Sequence, residues 1–198
     1  MWKPDYITAE QLKVYRNVDD AADDAVYAAA VTAASRAIDN HCNRQFGNSE
    51  TAQERAYTAW YHWKLARWVV DIDDLQDATG LVVTVGGTAI TSYTLAPVNA
   101  VLDGMAWTHL IVGTSAEAQP CGSPDEVLIT ADPWGWDAIP VSVVNAAYLQ
   151  GSRFVSRRKS PYGIAGSPDQ GSELRLLNRV DPDVGVSLRG YRRARKVG

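Results

Sequence analysis

The chain has 198 residues, of which 46% are hydrophobic and 21% are charged, with a net charge of −4. This composition predicts one soluble globular domain with room for a sub-domain. No apolar run approaches the roughly eighteen residues that cross a bilayer, and the polar start lacks the apolar stretch of a secretion signal. We therefore expect no membrane segment and a cytoplasmic protein. Cys42 and Cys121 lack the spacing of a metal site or a disulfide framework, so we expect inert thiols.

The net charge conceals an uneven distribution along the chain. Residues 1–150 contain 8 Lys and Arg against 19 Asp and Glu, whereas residues 151–198 contain 11 against 4. An acidic body with a basic end favours contact of that end with an acidic partner, either nucleic acid or an acidic protein surface. A solvated basic tail that contacts no partner is the alternative.

The first predicted elements are helices. Thr8 and Gln11 have the spacing of a capping box, which predicts a short helix to about Arg16 and a turn over residues 17–20. A long helix is predicted from Asp20 to Arg44, because nine of the seventeen residues in 21–37 are alanine and aspartates lie at its first turns. Its predicted buried stripe recurs at helical spacing and is made of small side chains, so it would pack against another helix or a neighbouring copy. This subunit-packing stripe is Val26, Ala30, Ala33 and Ala37.

Short β-type runs separated by turn residues follow the long helix. The predicted strands are 56–63, 67–72, 81–85, 88–94, 107–112 and 126–131, and Gly86-Gly87 predicts a tight hairpin. We expect the aromatic side chains of this insert to form its core. Those aromatic residues are Trp60, Tyr61, Trp63, Trp68, Tyr93 and Trp107.

A second long helix is predicted after the β insert. Pro140 suits a first helical position, and residues 141–158 follow with a predicted apolar side. We expect that side to consist of Val141, Val144, Tyr148 and Val155, with Ala147, Gly151 and Phe154 adjoining it. A long loop over 160–171 and a short helix from Asp181 to about Arg193 complete the predicted elements.

These elements predict an α+β fold, with a small helical core and an inserted antiparallel β sub-domain. The predicted divisions are residues 1–49 with 132–171 for the helical core, 50–131 for the β insert and 172–198 for a basic C-terminal arm.

Residues that could carry chemistry are few. His41, His62 and His109 share no metal or triad spacing. The acidic cluster at 71–77 lacks the central Gly and distal Glu of a calcium loop. The glycine pairs fit neither a phosphate-binding loop nor a dinucleotide fingerprint. We therefore predict no catalytic, cofactor or metal site, and a hydrolase using the acidic cluster is the weakest alternative.

The basic residues toward the C-terminus could instead contact phosphates or an acidic protein. Few aromatic residues accompany them, so contact without base reading is expected. These candidate residues for contact with DNA or an acidic protein are Arg153, Arg157, Arg158, Lys159, Arg189, Arg192, Arg193, Arg195 and Lys196.

Several short motifs follow one another in a particular order and spacing between residue 6 and residue 193. They are 6–8 with Leu12, 34–39, 44–46, 79–81, 95–100, 130–140, 152–166, 181–184 and 191–193. In their order and spacing these motifs resemble the head-tail connector (adaptor) family of tailed bacteriophages, especially those of actinobacteria.

The resemblance implies a structural virion protein at the head-tail junction, present in the host cytoplasm before assembly. Its expected partners are copies of itself in a ring, typically of twelve subunits, the phage portal, and a tail-side head-completion or stopper protein. Genomic double-stranded DNA would pass through the ring. The β insert departs from the shortest members, which are nearly all helical. A non-specific duplex-binding module acting through the basic C-terminal segment is the alternative function.

Overall fold

A computed structural model describes residues 2–19, 23–158 and 181–194, together with the backbone of 164–165 and 174–175. The chain divides into two compact units. The first, here called the sheet unit, comprises Met1–Lys3 and Phe46–Ala138; the second, the helical unit, comprises Pro4–Gln45 and Ile139–Gly198. Helices and antiparallel sheets together give the predicted α+β fold, which is confirmed.

The sheet unit contains two four-stranded antiparallel sheets, with strand orders β1-β8-β4-β5 and β2-β3-β7-β6. The strands of the first sheet are β1 (Gln53–Tyr57), β4 (Val82–Val85), β5 (Thr88–Ile90) and β8 (Val127–Ala131). The strands of the second sheet are β2 (Ala59–His62), β3 (Arg67–Leu75), β6 (Tyr93–Ala96) and β7 (Trp107–Val112). The hairpin predicted at Gly86-Gly87 is confirmed, because both glycines have positive φ and Val85 pairs with Thr88.

Two predicted strands are wrong in the same way. The run 56–63 is divided at Thr58 between β1 and β2, and the run 88–94 is divided between β5 and β6. In each case the chain leaves one sheet and enters the other. Period-2 alternation indicates an extended chain but carries no information about which sheet it joins, so the sequence could not show the division.

The core of the sheet unit is mainly aliphatic, which corrects the predicted aromatic core. Residues such as Ile72, Leu110 and Ile129 are fully buried. Of the six predicted core aromatics, Trp60, Tyr61 and Trp63 are exposed and Trp68, Tyr93 and Trp107 are partly buried. The size of a side chain does not decide which face of a strand it occupies, whereas alternation does.

The segment after β8 supplies the buried aromatic rings that the sequence did not assign. Trp134 and Trp136 are buried, and their indole N–H groups donate to Gln53 O at 2.8 Å and Asp74 Oδ2 at 2.9 Å. Between them, Gly135 has φ +108 and donates its N–H to Asp74 O. These bonds group the segment with the sheets up to Ala138, whereas the sequence placed 132–138 in the helical core.

The helical unit contains α1 (Ala9–Tyr15), α2 (Asp24–Cys42), α3 (Val141–Arg158) and α4 (Pro182–Ser187), followed by a 3₁₀ turn at Arg189–Tyr191. The capping box of α1 and the limits of α3 are confirmed. A short hairpin of β9 (Ile164–Ala165) and β10 (Leu174–Arg175) begins within the predicted 160–171 loop. The other residues of that loop lie outside the described part of the chain.

Both predicted ends of the long helix are corrected. Asp23 lies in a turn, so the helix begins at Asp24; residues 20–22 lie outside the described part of the chain. Asn43 has φ 51, in the left-handed region, and this ends the helix before Arg44. The single helix predicted from Asp181 to Arg193 is also shorter, because α4 gives way to the 3₁₀ turn at Arg189.

The buried side of α2 is rotated from the predicted stripe. Ala30 is buried, but Val26 and Ala37 are half-buried and Ala33 is exposed. The buried residues of the helix are Tyr27, Ala30, Val31, Ala34, Ser35, Ile38 and Cys42. Alanines lie on every side of this helix, so their spacing alone could not indicate the buried side.

Helix α3 packs on α2 through small residues rather than through the predicted large ones. A Cβ added to Gly151 would lie 3.0 Å from Leu12 Cδ2 and 3.9 Å from the Ala34 Cβ. Val141 is 75% exposed, and Tyr148 stacks on Tyr15 with ring centroids 4.9 Å apart. The predicted apolar side is partly confirmed, because Val155 and the adjoining Ala147 and Gly151 are buried, whereas Val144, Tyr148 and Phe154 are half-buried. The buried side of α3 is Val143, Ala146, Ala147, Gln150, Gly151 and Val155.

None of the helices in the described ranges is long and apolar enough to span a membrane.

Replacing Gly135 with alanine should lower the free energy of unfolding by about 3 kcal/mol or more, because a Cβ there would lie 2.1 Å from Gly47 O and 2.9 Å from Asn48 Cα. Gly104→Ala is the matched control. Its φ is +69 and no atom lies within 4 Å of an added Cβ, so only backbone strain of about 1 kcal/mol is expected. Urea unfolding of both variants measures the difference, and equal losses would contradict the close approach at Gly135.

Candidate functional site

The acidic cluster at the end of β3 does not converge on one point. Asp71 Oδ1 lies 3.2 Å from His109 Nε2 on the neighbouring strand. Asp73 Oδ2 accepts from Arg55 Nη1 at 2.8 Å. Asp74 is buried and accepts from the Trp136 indole. Asp74 is buried whereas Asp71 and Asp73 are half-buried, and each of the three carboxylates has a different partner.

Histidines and cysteines give no metal-binding cluster within the described ranges. His62 Nδ1 accepts from Leu65 N at 3.2 Å within a turn, and burial followed by the charge of Arg192 lowers the pKa of His41. Burial raises the pKa of the Cys42 thiol to about 11, so this group stays protonated at neutral pH. The other thiol, Cys121, is exposed.

One contact of the sheet unit was not anticipated from the sequence. The Arg55 guanidinium lies 4.0 Å from the ring centroid of Trp2 and 4.9 Å from that of Trp134. Arg55 also pairs with Asp73, whose Oδ2 accepts from the Tyr57 hydroxyl at 3.0 Å. Burial, followed by the Asp73 charge, raises the pKa of Tyr57. These groups are engaged with one another, which indicates a structural role.

The basic residues at the end of α3 occupy different environments. Arg153 is largely buried, with its side chain 11% exposed, and its Nη1 lies 3.3 Å from Asp181 Oδ2. Arg157 is half-buried. Arg158 is exposed and lies 3.3 Å from Asp23 Oδ1. Lys159 lies outside the described residues. Arg153 therefore joins α3 to the beginning of α4 inside the helical unit.

The basic residues near the C-terminus lie at the carboxyl end of α2. Arg193 N donates to Cys42 O at 2.8 Å, and Asn43 Nδ2 donates to Arg193 O at 2.9 Å. These bonds satisfy groups at the negative end of the helix, where cations are also favourable. Arg189 and Arg192 are exposed. Arg195 and Lys196 lie outside the described residues.

The side of α2 opposite its buried residues is exposed and carries small side chains. It includes the predicted packing residue Ala33, with Val26 and Ala37 at its margins. The other exposed residues of this side are Ala25, Ala28, Ala29 and Thr32. Shallow hollows adjoin it, lined by residues of α1 and of the segment before it, among them Asp5 and Ala9. Another chain could approach the α2 backbone closely at this side.

The β2–β3 hairpin exposes apolar side chains at and beside its tip, here called the aromatic corner. Its members, with their exposed fractions, are Trp60 43%, Tyr61 52%, Trp63 75% and Leu65 50%. Three of them, Trp60, Tyr61 and Trp63, are among the predicted core residues. The turn over 63–66 between two paired strands was the sequence signal that could have indicated their exposure, because residues in and beside a hairpin turn are usually exposed.

Comparison of the sequence with protein-family models found no match, and comparison with curated proteins found none that is significant.

Replacing Arg153 with methionine should lower the free energy of unfolding by roughly 1–3 kcal/mol, because it removes the mostly buried guanidinium that pairs with the Asp181 carboxylate. The matched variant Arg158→Met removes a pair at the surface and should cost less than about 0.5 kcal/mol. Chemical unfolding compares the two. A smaller loss for Arg153→Met than for Arg158→Met would contradict the structural assignment of Arg153.

A thiol reagent should modify one cysteine per folded chain at pH 8 and two per unfolded chain. Cys121 is exposed, whereas Cys42 is buried and its raised pKa keeps it protonated there. Colorimetric titration with a disulfide reagent counts the reacted thiols. In Cys121→Ser, the folded protein should give no rapid reaction; rapid modification of that variant would show that Cys42 is accessible.

Proposed function

We propose that this chain is a structural virion protein whose copies form a ring adaptor between the capsid portal and the tail of a bacteriophage. Genomic DNA passes through the hole of the ring. The observation that carries the proposal is the order of motifs from residues 6–8 to residues 191–193, which resembles that of the connector family. Twelve subunits is the number that this resemblance implies.

The exposed side of α2 supports self-association. A closed ring needs two different faces that complement each other on each subunit. Helix α2 has small residues on both sides, and Ala34 is used for packing within the helical unit. Ala28, Ala29 and Ala33 remain exposed. A helix of a neighbouring copy could lie close to this side at little steric cost.

The charge distribution supports passage of DNA and contact with an acidic surface. Many cations facing the duplex would hold it by counterion release, which opposes passage. Residues 1–150 have a net charge of −11, so this part of the chain repels phosphates. Arg189 and Arg192 are exposed and could contact an acidic portal surface.

Purified protein should form a closed ring, alone at high concentration or when mixed with purified portal assemblies. Native mass spectrometry gives the subunit number, expected to be twelve, and negative-stain microscopy shows whether the ring is closed. Monomers under both conditions, together with particles that lack the protein at the neck, would overturn the proposal.

Reversing the charges of Arg189 and Arg192 to glutamate should weaken attachment to the portal at least tenfold. Both side chains are exposed, so the melting temperature should change by less than about 2 °C. Glutamine at both positions removes charge without reversing it and should have an intermediate effect. Deleting 191–198 is a poorer test, because it also removes the bonds of Arg193 to Cys42 and Asn43.

The same variants distinguish the ring proposal from the alternative function in DNA binding. A non-specific duplex-binding module would bind a labelled DNA duplex tightly in low salt and lose that affinity with the glutamate pair. The ring proposal instead predicts weak duplex binding that these variants barely change. Tight, steeply salt-dependent binding without portal attachment would favour the DNA-binding alternative.

A further inference from the structure

The sheet β2-β3-β7-β6 has exposed apolar residues at two diagonally opposite corners. Strands β2 and β6 are its edges. Val69 near the start of β3 pairs with Ile111 near the end of β7, so the β2–β3 turn lies at the end of the sheet where β7 finishes. Leu75 at the end of β3 pairs with Trp107 at the start of β7, so the β6–β7 loop lies at the opposite end.

The first of these corners is the aromatic corner, and the charged residues of its sequence segment are cations. Lys64 is exposed, with its Nζ 5.2 Å from the Trp63 ring centroid, and Arg67 begins β3. The sequence contains no Asp or Glu between Glu54 and Asp71. Exposed tryptophan and tyrosine side chains are typical of the centre of a protein–protein interface.

Hydrogen bonds hold the aromatic corner in a defined conformation. Leu65 N donates to His62 O at 3.1 Å, and Ala66 N donates to Trp63 O at 3.3 Å. The Trp60 ring packs on the His62 ring with centroids 5.3 Å apart. A patch ordered before binding loses less conformational entropy when a partner covers it.

The second corner, here called the acidic corner, lies in and beside the β6–β7 loop. Val98 is 70% exposed, Leu102 is 87% exposed and the Asp103 side chain beside it is exposed. Asp137 is also exposed, and its N–H donates to Gln76 Oε1 at 2.9 Å. Gln76 Nε2 donates to Met105 O, which connects Asp137 to this loop.

The sequence segment that carries the acidic corner contains no cation. The sequence contains no Lys or Arg between Arg67 and Arg153. The acidic corner therefore combines aliphatic side chains with carboxylates, whereas the aromatic corner combines aromatic side chains with cations. The two patches complement each other in charge, and both expose apolar surface that a partner could cover.

We propose that the aromatic corner of one copy binds the acidic corner of the next copy, and that this contact closes the ring. The inference rests on the proposed ring function and names the surfaces that form it. Two different patches at opposite corners of one sheet produce a head-to-tail contact, which is the type that a ring requires. A face that bound its own equivalent would give a dimer instead.

The charge of the sheet unit argues against nucleic acid as the occupant. Aromatic residues with cations also suit a single strand. However, the residues of this unit, 1–3 and 46–138, include four Lys and Arg against twelve Asp and Glu. That excess of carboxylates would repel a polyanion, whereas an acidic patch on a second copy attracts the aromatic corner.

Cross-linking of mixed variants tests which corners meet. In a Cys121→Ser background, one variant carries Lys64→Cys and a second carries Asp103→Cys; Leu65→Cys with Leu102→Cys is a second pair. Oxidation of mixed single variants, with portal assemblies present, should give disulfide-linked dimers. A chain with both substitutions of a pair should give a ladder up to the full ring. Dimers from Lys64→Cys alone, or no cross-link from either pair, would overturn the inference.

Charge reversal separates this inference from the proposed function. Lys64→Glu and Asp103→Lys should each weaken ring formation at least tenfold, and the double variant should restore it, because the reversed charges again attract. Normal rings from both single variants would overturn the inference and leave the ring function standing. A wild-type protein that forms no ring with portal would overturn the function itself.

Two controls measure the folding of a variant and the binding of a nucleic acid. Trp63→Ala should abolish ring formation without lowering the melting temperature, because the side chain is 75% exposed. A single-stranded oligonucleotide should not bind the wild-type protein at physiological salt. Micromolar binding of that oligonucleotide, lost in Trp63→Ala, would assign the aromatic corner to nucleic acid and overturn the inference.

Discussion

Close packing between α2 and α3 is the constraint that organises the helical unit. Gly151 lies against Leu12 and Ala34, and the buried sides of both helices include several small residues. Small side chains supply little burial per residue, at ~25 cal/mol per Å² of apolar surface. The contact therefore depends on close approach of the backbones. An alanine-rich helix that is covered on one side still exposes small side chains on the other. A neighbouring copy could therefore pack against this side of α2.

The sheet unit uses a different kind of constraint, because its segment Trp134–Trp136 lies against residues far away in the sequence. The buried indoles donate to Gln53 and Asp74, and Gly135 fits where no side chain could. With the core filled by aliphatic residues and these two rings, Trp60, Tyr61 and Trp63 remain at the surface. Their exposure, together with the segregation of charge, provides the argument for a contact between copies.

Local signals in the sequence were enough to predict several elements. The capping box at Thr8 and the glycine pair at 86–87 each specify a local conformation, and both predictions are confirmed. Pro140 marks the start of α3, but it lies one residue before the helix, and its carbonyl accepts from Val144 N. The division of residues 56–63 between two sheets could not be predicted, because the extended run continues on both sides of Thr58. The buried side of α2 was equally hidden, since Ala30 and Ala33 are the same residue type in different environments.

The candidate site was predictable only in its residue types. Charge counts predicted a basic C-terminal end. The structure shows that Arg153 is largely buried against Asp181, whereas Arg192 is exposed. The aromatic corner was misassigned because the prediction followed the size of Trp63 and not its position in the turn 63–66, where side chains are exposed. The order of motifs in the sequence supports the proposed function, and the surfaces of the described residues supply its testable detail.

A reconstruction of the neck of an intact virion tests the central claim most directly. The account predicts a ring of this chain in the layer below the portal, with the β2–β3 tip of each copy against the β6–β7 loop of the next. A different protein in that layer, with this chain absent from the neck, would contradict it.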